Sequence, residues 1–185
     1  MKSRPTIALA CILKNEAINL GPFLESFGGC FDEIHFTDTG STDNSVEILK
    51  SEKARELAGC PVYVHHFEWC DDFAKARQFS FDQVPKHIDF IMWADLDDSL
   101  SSKEEFLHFR DHTMHCADMW LAMYNYSFKD GVPVCSFLRE RIIRNGLGYK
   151  WEFFIHEGIV GIIDKKTATQ ATRAFTINHR RTEED

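Results

Sequence analysis

The chain opens on an apolar run over residues 6–13, TIALACIL, and then changes period, with Ile18, Leu20, Phe23, Leu24 and Phe27 recurring every three or four positions. The first pattern predicts a strand and the second a helix over residues 17–27. Gly28 and Gly29 break the chain. A second strand is predicted over 33–37, ending at Asp38, then a turn through residues 39–43, and Asn44 with Glu47 three positions on predicts a capped helix to about residue 57. The alternation repeats, with a strand over 62–67, a helix over 71–84, and a strand over 88–94 that runs into Asp95, Leu96, Asp97 and Asp98. Strands separated by helices predict an α/β fold with a parallel sheet, whose ligands gather beyond the carboxyl ends of the strands. Asp38 and Asp95 both fall at such ends.

After Asp98 the texture changes. Ser102 and Glu105 have capping-box spacing, residues 119–128 and 132–138 flank the turn Lys129, Asp130, Gly131 like a hairpin, and 174–179 reads as a last extended stretch. The expected architecture is therefore α/β, mostly parallel, with antiparallel additions in the second half. With 185 residues, one buried core in a single domain over 1–185 is expected.

A formal net charge of -8 argues against bulk nucleic-acid binding, leaving Arg139, Arg141 and Arg144 as a local basic patch for phosphates. An acidic protein that holds an anion needs a local cation, which points to a carboxylate-bound metal. The 16 phenylalanines and four tryptophans predict an aromatic core or a stacking surface. Six cysteines without a C-x-x-C pair are expected as buried, reduced thiols. Lys2 and Arg4 before the first apolar run imitate a signal peptide, but Lys14, Asn15 and Glu16 follow with no small-residue cleavage site. No segment approaches the roughly 20 apolar residues of a membrane span. A cytoplasmic protein, or one peripheral at the membrane, with no transmembrane segment, is expected.

Asp95, Asp97 and Asp98 after a hydrophobic strand offer hard oxygen ligands to Mg or Mn, and an acidic turn that caps the next helix explains them as readily. In the small-residue loop 38–43, Asp38 can accept hydrogen bonds from a nucleobase or ribose, or can cap its own turn. Lys75 and Arg77 can meet a nucleotide phosphate, or can pair with Asp71 or Asp72 on a helix surface. Arg139, Arg141 and Arg144 can hold a diphosphate, and Glu157, beyond Trp151, can deprotonate an acceptor hydroxyl. An exposed strand of alternating charge with a buried tryptophan explains that segment equally well. His179 taken alone reads as a structural histidine.

Taken in order, Lys14-Asn15-Glu16, the complete D-T-G-S-T-D of residues 38–43, F-E-W-x-D-D-F from Phe67 with Ala76 and Arg77, and W-x-D-x-D-D from Trp93 resemble the inverting glycosyltransferases of family 2 with a GT-A fold. The likeness is to their bacterial and phage branch in particular, covers residues 5–157, and extends to Ile155, His156 and Glu157. It implies a GT-A, three-layer αβα domain that moves a sugar from a nucleotide-diphosphate sugar, UDP- or GDP-linked, to an acceptor hydroxyl with inversion, assisted by Mn or Mg. The acceptor would be a glycan, lipid, protein or small molecule. It further implies that residues 1–98 hold the donor and 99–185 shape the acceptor side, in a domain that is short, as if truncated, for this fold. Residue by residue, the resemblance puts Cys11, Leu13 and Asp38 around the nucleobase, Arg77 near the base and phosphates, and Asp95 on the ribose. Arg144 joins the donor-binding set, Asp97 and His179 the metal site. Glu157 becomes the catalytic base, with Trp151 and His156 shaping the acceptor side.

Two other readings fit parts of the chain. Asp95, Leu96, Asp97, Asp98, Ser99 imitates the D-x-D-x-T/S nucleophile motif of haloacid-dehalogenase-like phosphatases, which normally closes the first strand of its sheet, whereas here two or three strand-helix units come before it. A non-catalytic module that binds a nucleotide sugar is the third.

Overall fold

The computed structural model describes residues 4–161 and 167–180; Lys2, part of the pattern that imitates a signal peptide, lies outside the described residues. The first half runs β1 (Ile7–Leu13), α1 (Ala17–Phe27), β2 (Glu33–Asp38), α2 (Ser45–Lys50), α3 (Glu52–Ala58), β3 (Val62–His66), α4 (Phe73–Asp82) and β4 (Phe90–Trp93). The second half runs β5 (Asp98–Leu100), α5 (Lys103–His112), β6 (Met119–Lys129), β7 (Val132–Arg144), β8 (Lys150–Glu152), β9 (Gly158–Val160) and β10 (Thr169–His179).

Eight strands form one sheet in the order β3-β2-β1-β4-β7-β6-β10-β5. β3, β2, β1 and β4 are mutually parallel, and β10 is parallel to β6. β7 runs antiparallel to both β4 and β6, and β5 antiparallel to β10. β8 and β9 make a separate two-stranded ribbon. The result is the expected mixed α/β sheet with antiparallel additions in the second half.

β1 is central and shows why its sequence is apolar throughout. Ile7, Leu9, Cys11 and Leu13 pack in one core with Leu20, Phe23, Leu24 and Phe27 of α1, while Ala8 and Ala10 face a second core with Ala74 and Phe81 of α4 and with Trp93 and Trp151. Side chains alternate across a strand, so a strand covered on both faces needs apolar residues at every position. The alanines let α4 approach closely. Phenylalanines fill the first core in tilted and edge contacts, with ring centroids 4.6 Å apart for Phe23 and Phe27 and 5.0 Å for Phe106 and Phe175. Burying each such side chain is worth about 1.5–3 kcal/mol.

Several local expectations need correction. The helix expected from Asn44 to about residue 57 is two helices, because Ser51 turns extended (φ -70, ψ 157) and its hydroxyl accepts from Ala54 N at 3.2 Å, starting α3 afresh. Asn44 does not cap α2 with its side chain; instead Asp43 Oδ1 accepts from Ser45 N at 3.0 Å. Ser102 does cap α5, accepting from Glu105 N at 3.2 Å. β5, β8 and β9 have three residues each, too few to leave a period in the sequence. Only Cys11 and Cys30 are buried; Cys70, Cys116 and Cys135 are exposed, since they lie in a polar loop, a surface turn and the outer half of β7. Among the described residues no helix is long and apolar enough to cross a membrane.

Candidate active site at the carboxyl ends of the strands

The loops after β1 and β2 are built into each other. Asn15 sits in the left-handed region (φ 58), which asparagine tolerates better than most residues. Its Oδ1 accepts from Thr42 N at 2.7 Å and from Asp43 N at 3.3 Å, and its own N donates to Ser41 Oγ at 2.9 Å. Asp43 Oδ2 accepts from Ala17 N at 3.1 Å, at the start of α1, and Ser45 Oγ accepts from Glu16 N at 2.9 Å. Hydrogen bonding to the Ser45 hydroxyl holds the Asp43 carboxyl below the usual carboxylate range. Asp38 Oδ1 accepts from Ser41 N at 2.9 Å, so it closes its own turn, as one of its two readings anticipated. Much of the two sequence motifs is thus spent on fixing the backbone around the cleft.

β4 ends at Trp93 and delivers the acidic run. Asp98 is fully buried; its Oδ2 accepts from Arg141 Nη1 at 2.9 Å and from Asp95 N at 3.1 Å. His179, the last residue of β10, places Nδ1 3.5 Å from Asp97 Oδ2 and 3.8 Å from Asp98 Oδ1. One ligand atom from each of Asp97, Asp98 and His179 lies within 4.8 Å of the others. Asp97 Oδ1, Asp98 Oδ1 and His179 Nδ1 are buried with no hydrogen-bond partner. Buried polar atoms normally find partners. Two carboxylates and an imidazole left open toward one point fit a divalent cation such as Mn or Mg. The Asp97 carboxylate, then that of Asp98, push the His179 imidazole up to about 10, and a cation at this point would displace that proton.

Arg77, on α4, binds two further carboxylates: Nη2 donates to Asp95 Oδ1 at 2.6 Å and Nε to Glu157 Oε1 at 2.7 Å. Its guanidinium lies 4.4 Å from the Trp93 ring centroid and 5.3 Å from that of Trp151. Burial opposes its charge, but Asp95 and Glu157 overcome this and raise its pKa further. Burial likewise opposes ionisation of Asp95, yet Arg77 and then Arg141 hold its carboxyl below the usual value. Arg139 Nη2 donates to the Glu157 carbonyl at 2.8 Å. The loop carrying Glu157 is left-handed at Phe153 (φ 70) and His156 (φ 56), at about 1–2 kcal/mol each.

These elements enclose a cleft of about 410 Å³. Leu13, Arg77, Asp95, Asp97 and His179 line it, and Asp98 lies directly behind. Thr39, rather than Asp38, forms the wall after β2. Cys11 is in the core: burial, then Asp95, pushes its thiol up, which places it beneath the site rather than in it. Arg144 is not brought to the cleft. It pairs in β7 with Phe90 at the opposite end of β4, and its Nε donates to Asp118 Oδ1 at 2.7 Å. Arg141 and Arg139, three and five residues earlier on β7, are the guanidiniums of that strand that reach the site. Trp151 is buried against Trp93 with ring centroids 5.1 Å apart, behind Arg77; His156 is exposed on the loop before Glu157. Lys75, not Arg77, makes the surface pair with Asp72, at 3.0 Å. Sequence reasoning gave no separate role to Tyr124, Tyr126 and Phe137, which also line the cleft; the hairpin was legible, but not that its base, Ile142 to Arg144, pairs with β4.

No family model and no curated protein sequence matches the chain. Solved structures do. S. aureus TarS 1-349 in complex with UDP matches with a TM-score of 0.60 and 17% identity over 90% of this chain and 60% of that one. TarS 1-349 in complex with UDP-GlcNAc matches with a TM-score of 0.60 and 16% identity over 91% of this chain and 59% of that one. The mannosyltransferase PcManGT from Pyrobaculum calidifontis, in complex with GDP-Man and Mn2+, matches with a TM-score of 0.52 and 12% identity over 69% of this chain and 37% of that one. The chain therefore spans about 60% of the length of TarS 1-349. At such identities the likeness is one of fold, and the fold is the GT-A α/β architecture.

Proposed function

We propose that this chain is a family 2 glycosyltransferase domain that binds a UDP- or GDP-linked sugar in the cleft and transfers the sugar, with inversion, to an acceptor hydroxyl. The observation that carries this reading is the trio Asp97, Asp98 and His179, with three open buried ligand atoms, at the rim of a cleft in a GT-A fold. The complexes of TarS with UDP and UDP-GlcNAc, and of the mannosyltransferase with GDP-Man and Mn2+, support a nucleotide sugar and a divalent ion as its ligands.

Asp97, Asp98 and His179 would hold Mn or Mg, which would supply positive charge to a departing nucleoside diphosphate. The chain's own side chains do the rest. Leu13 and Thr39 shape the wall for the base, with Asp38 holding the turn behind it. Asp95, its side chain 36% exposed, offers a carboxylate oxygen to the ribose while Arg77 fixes its direction. Arg77 is a positioning residue: one guanidinium sets Asp95 and Glu157 relative to each other. Glu157 accepts the proton of the acceptor hydroxyl, through Oε2 since Oε1 is held by Arg77. Attack opposite the leaving group inverts the anomeric carbon. Residues 1–98 hold the donor and 99–185 shape the acceptor side, where Trp151 acts through packing and His156 lies on the exposed flank. The acceptor is a glycan, lipid, protein or small molecule, and the place of action is the cytoplasm or its membrane surface. In the phosphatase reading Asp95 would be the nucleophile; its ion pair with Arg77 and its place after the fourth strand weigh against that.

A donor screen tests the proposal. Thermal shift and hydrolysis are followed across UDP, GDP, CDP and dTDP sugars with Mn and with chelator. One nucleotide series is expected to raise the Tm only with metal, and Asp97→Asn to abolish the metal-dependent part. A flat response to every donor would refute it.

A further inference from the structure

We infer that Lys14 is the side-chain cation that meets the donor's diphosphate, an inference that rests on reading the cleft as a nucleotide-sugar site. Besides His179, four cationic side chains line the cleft: Lys14, Arg77, Arg139 and Arg141. Three of them are already engaged. Arg77 is shared by two carboxylates; Arg141, 1% exposed, has its charge balanced by Asp98 and lies against the Trp93 and Tyr124 rings, although its Nε and Nη2 make no hydrogen bond among the described residues. Arg139 holds the Glu157 carbonyl, lies 3.9 Å from Glu140 Oε1 and stands 5.0 Å from the Trp93 ring centroid. Among the described residues Lys14 is exposed and has no carboxylate partner. A cation neutralised by a buried carboxylate has little charge left to offer a ligand, whereas a free ammonium keeps all of it.

The position is also built. Leu13 O, the carbonyl before Lys14, accepts from Thr39 N at 2.9 Å and from Thr39 Oγ1 at 3.0 Å. Asn15, after it, is pinned to Ser41 and Thr42. The root of the side chain is therefore fixed between two anchored peptides, while its four-carbon stem remains free to reach. Glu16, Asp95 and Asp97 also line the cleft, a negative surround that repels a diphosphate unless cations intervene. A cation held by Asp97, Asp98 and His179 would answer part of the ligand's charge, and Lys14 another part.

Titration calorimetry with UDP, UMP and uridine in the presence of Mn, and with the guanosine series if the donor screen selects GDP, tests the assignment on the parent, Lys14→Ala and Lys14→Arg. Lys14→Ala is expected to weaken the diphosphate by about tenfold, the scale of one charge-assisted hydrogen bond, with the nucleoside unchanged. Lys14→Arg should keep most of the diphosphate affinity. The parent's diphosphate affinity should fall more steeply with added salt than that of Lys14→Ala. Diphosphate affinity within twofold of the parent in Lys14→Ala, or an equal loss for uridine and UDP, overturns the inference while leaving the functional reading intact. A parent that binds no nucleoside diphosphate with Mn overturns both.

Discussion

Arg141 and Asp98 form an ion pair at 2.9 Å with side chains 1% and 0% exposed. Arg141 also lies 4.0 Å from the Trp93 ring centroid and 4.4 Å from that of Tyr124, so the pair ties β4, β5, β6 and β7 together at Asp98, one of the three candidate metal ligands. Removing one member of a buried pair leaves an uncompensated charge at about 3–5 kcal/mol. Arg141→Met is expected to lose that much in urea unfolding, and the double variant Arg141→Met, Asp98→Asn to recover part of it. A single variant within about 1 kcal/mol of the parent would show the pair to be poorly shielded.

Asn15 gives a separate test of the interlocked loops. Alanine at φ 58 costs about 1–2 kcal/mol in the left-handed region, and the lost hydrogen bonds add about 1 kcal/mol. Asn15→Ala should therefore destabilise by about 2–3 kcal/mol, and Asn15→Gly by less, because glycine keeps the conformation and loses only the side-chain bonds. Equal losses in thermal unfolding would mean that backbone conformation has no part in the effect.

Glu157→Gln preserves an acceptor for Arg77 Nε and removes the proposed base. Transfer should fall by about 10²–10⁴-fold, with nucleotide affinity and the metal-dependent thermal shift maintained. If the variant transfers sugar as fast as the parent, the proton leaves by another route.

The buried face of β2 sets a pH dependence. His35 Nδ1 is 3.1 Å from His65 Nε2, and His35 Nε2 is 3.0 Å from Glu33 Oε2. Burial lowers the pKa of both histidines from 6.5, outweighing Glu33 for His35 and reinforced by His35 for His65. The unfolded chain then binds more protons than the fold as pH drops through 6.5, so this contribution is present above 6.5 and is lost as pH falls through the folded values. His179, shifted the other way, already contributes fully below 6.5 and adds no slope there. Denaturation midpoints should decline from pH 6.5 downward in the parent and more gently in His35→Gln.

Most of the strand and helix order of the first half was legible because its central elements are buried on a repeating face, with β1 apolar throughout, α1 at helical spacing and β4 running into its carboxylates; the break at Ser51 that divides α2 from α3 was not. What the sequence hid was what each charge would be paired with. Arg144 and Arg141 look interchangeable in a row, but side chains on β7 are separated by rise along the strand, and three residues carry Arg144 to Asp118 at the far end of β4. Asp38 and Asp97 look alike too, yet one completes a turn through Ser41 N while the other keeps an open oxygen. The pairings of Arg144 with Asp118 and of Arg77 with Glu157 join residues more than 20 positions apart, which no local pattern encodes.

The stack of Trp93 between guanidiniums also gives the molecule an optical gauge. Two of the four tryptophans, Trp69 and Trp93, line the cleft, and Trp151 leans on Trp93, whereas Trp120 is locked in the phenylalanine core by its bond to Met114 O. Indole emission responds to neighbouring charge and to aromatic quenchers, so occupancy of the cleft can be followed by intrinsic fluorescence, with no label attached and no turnover required.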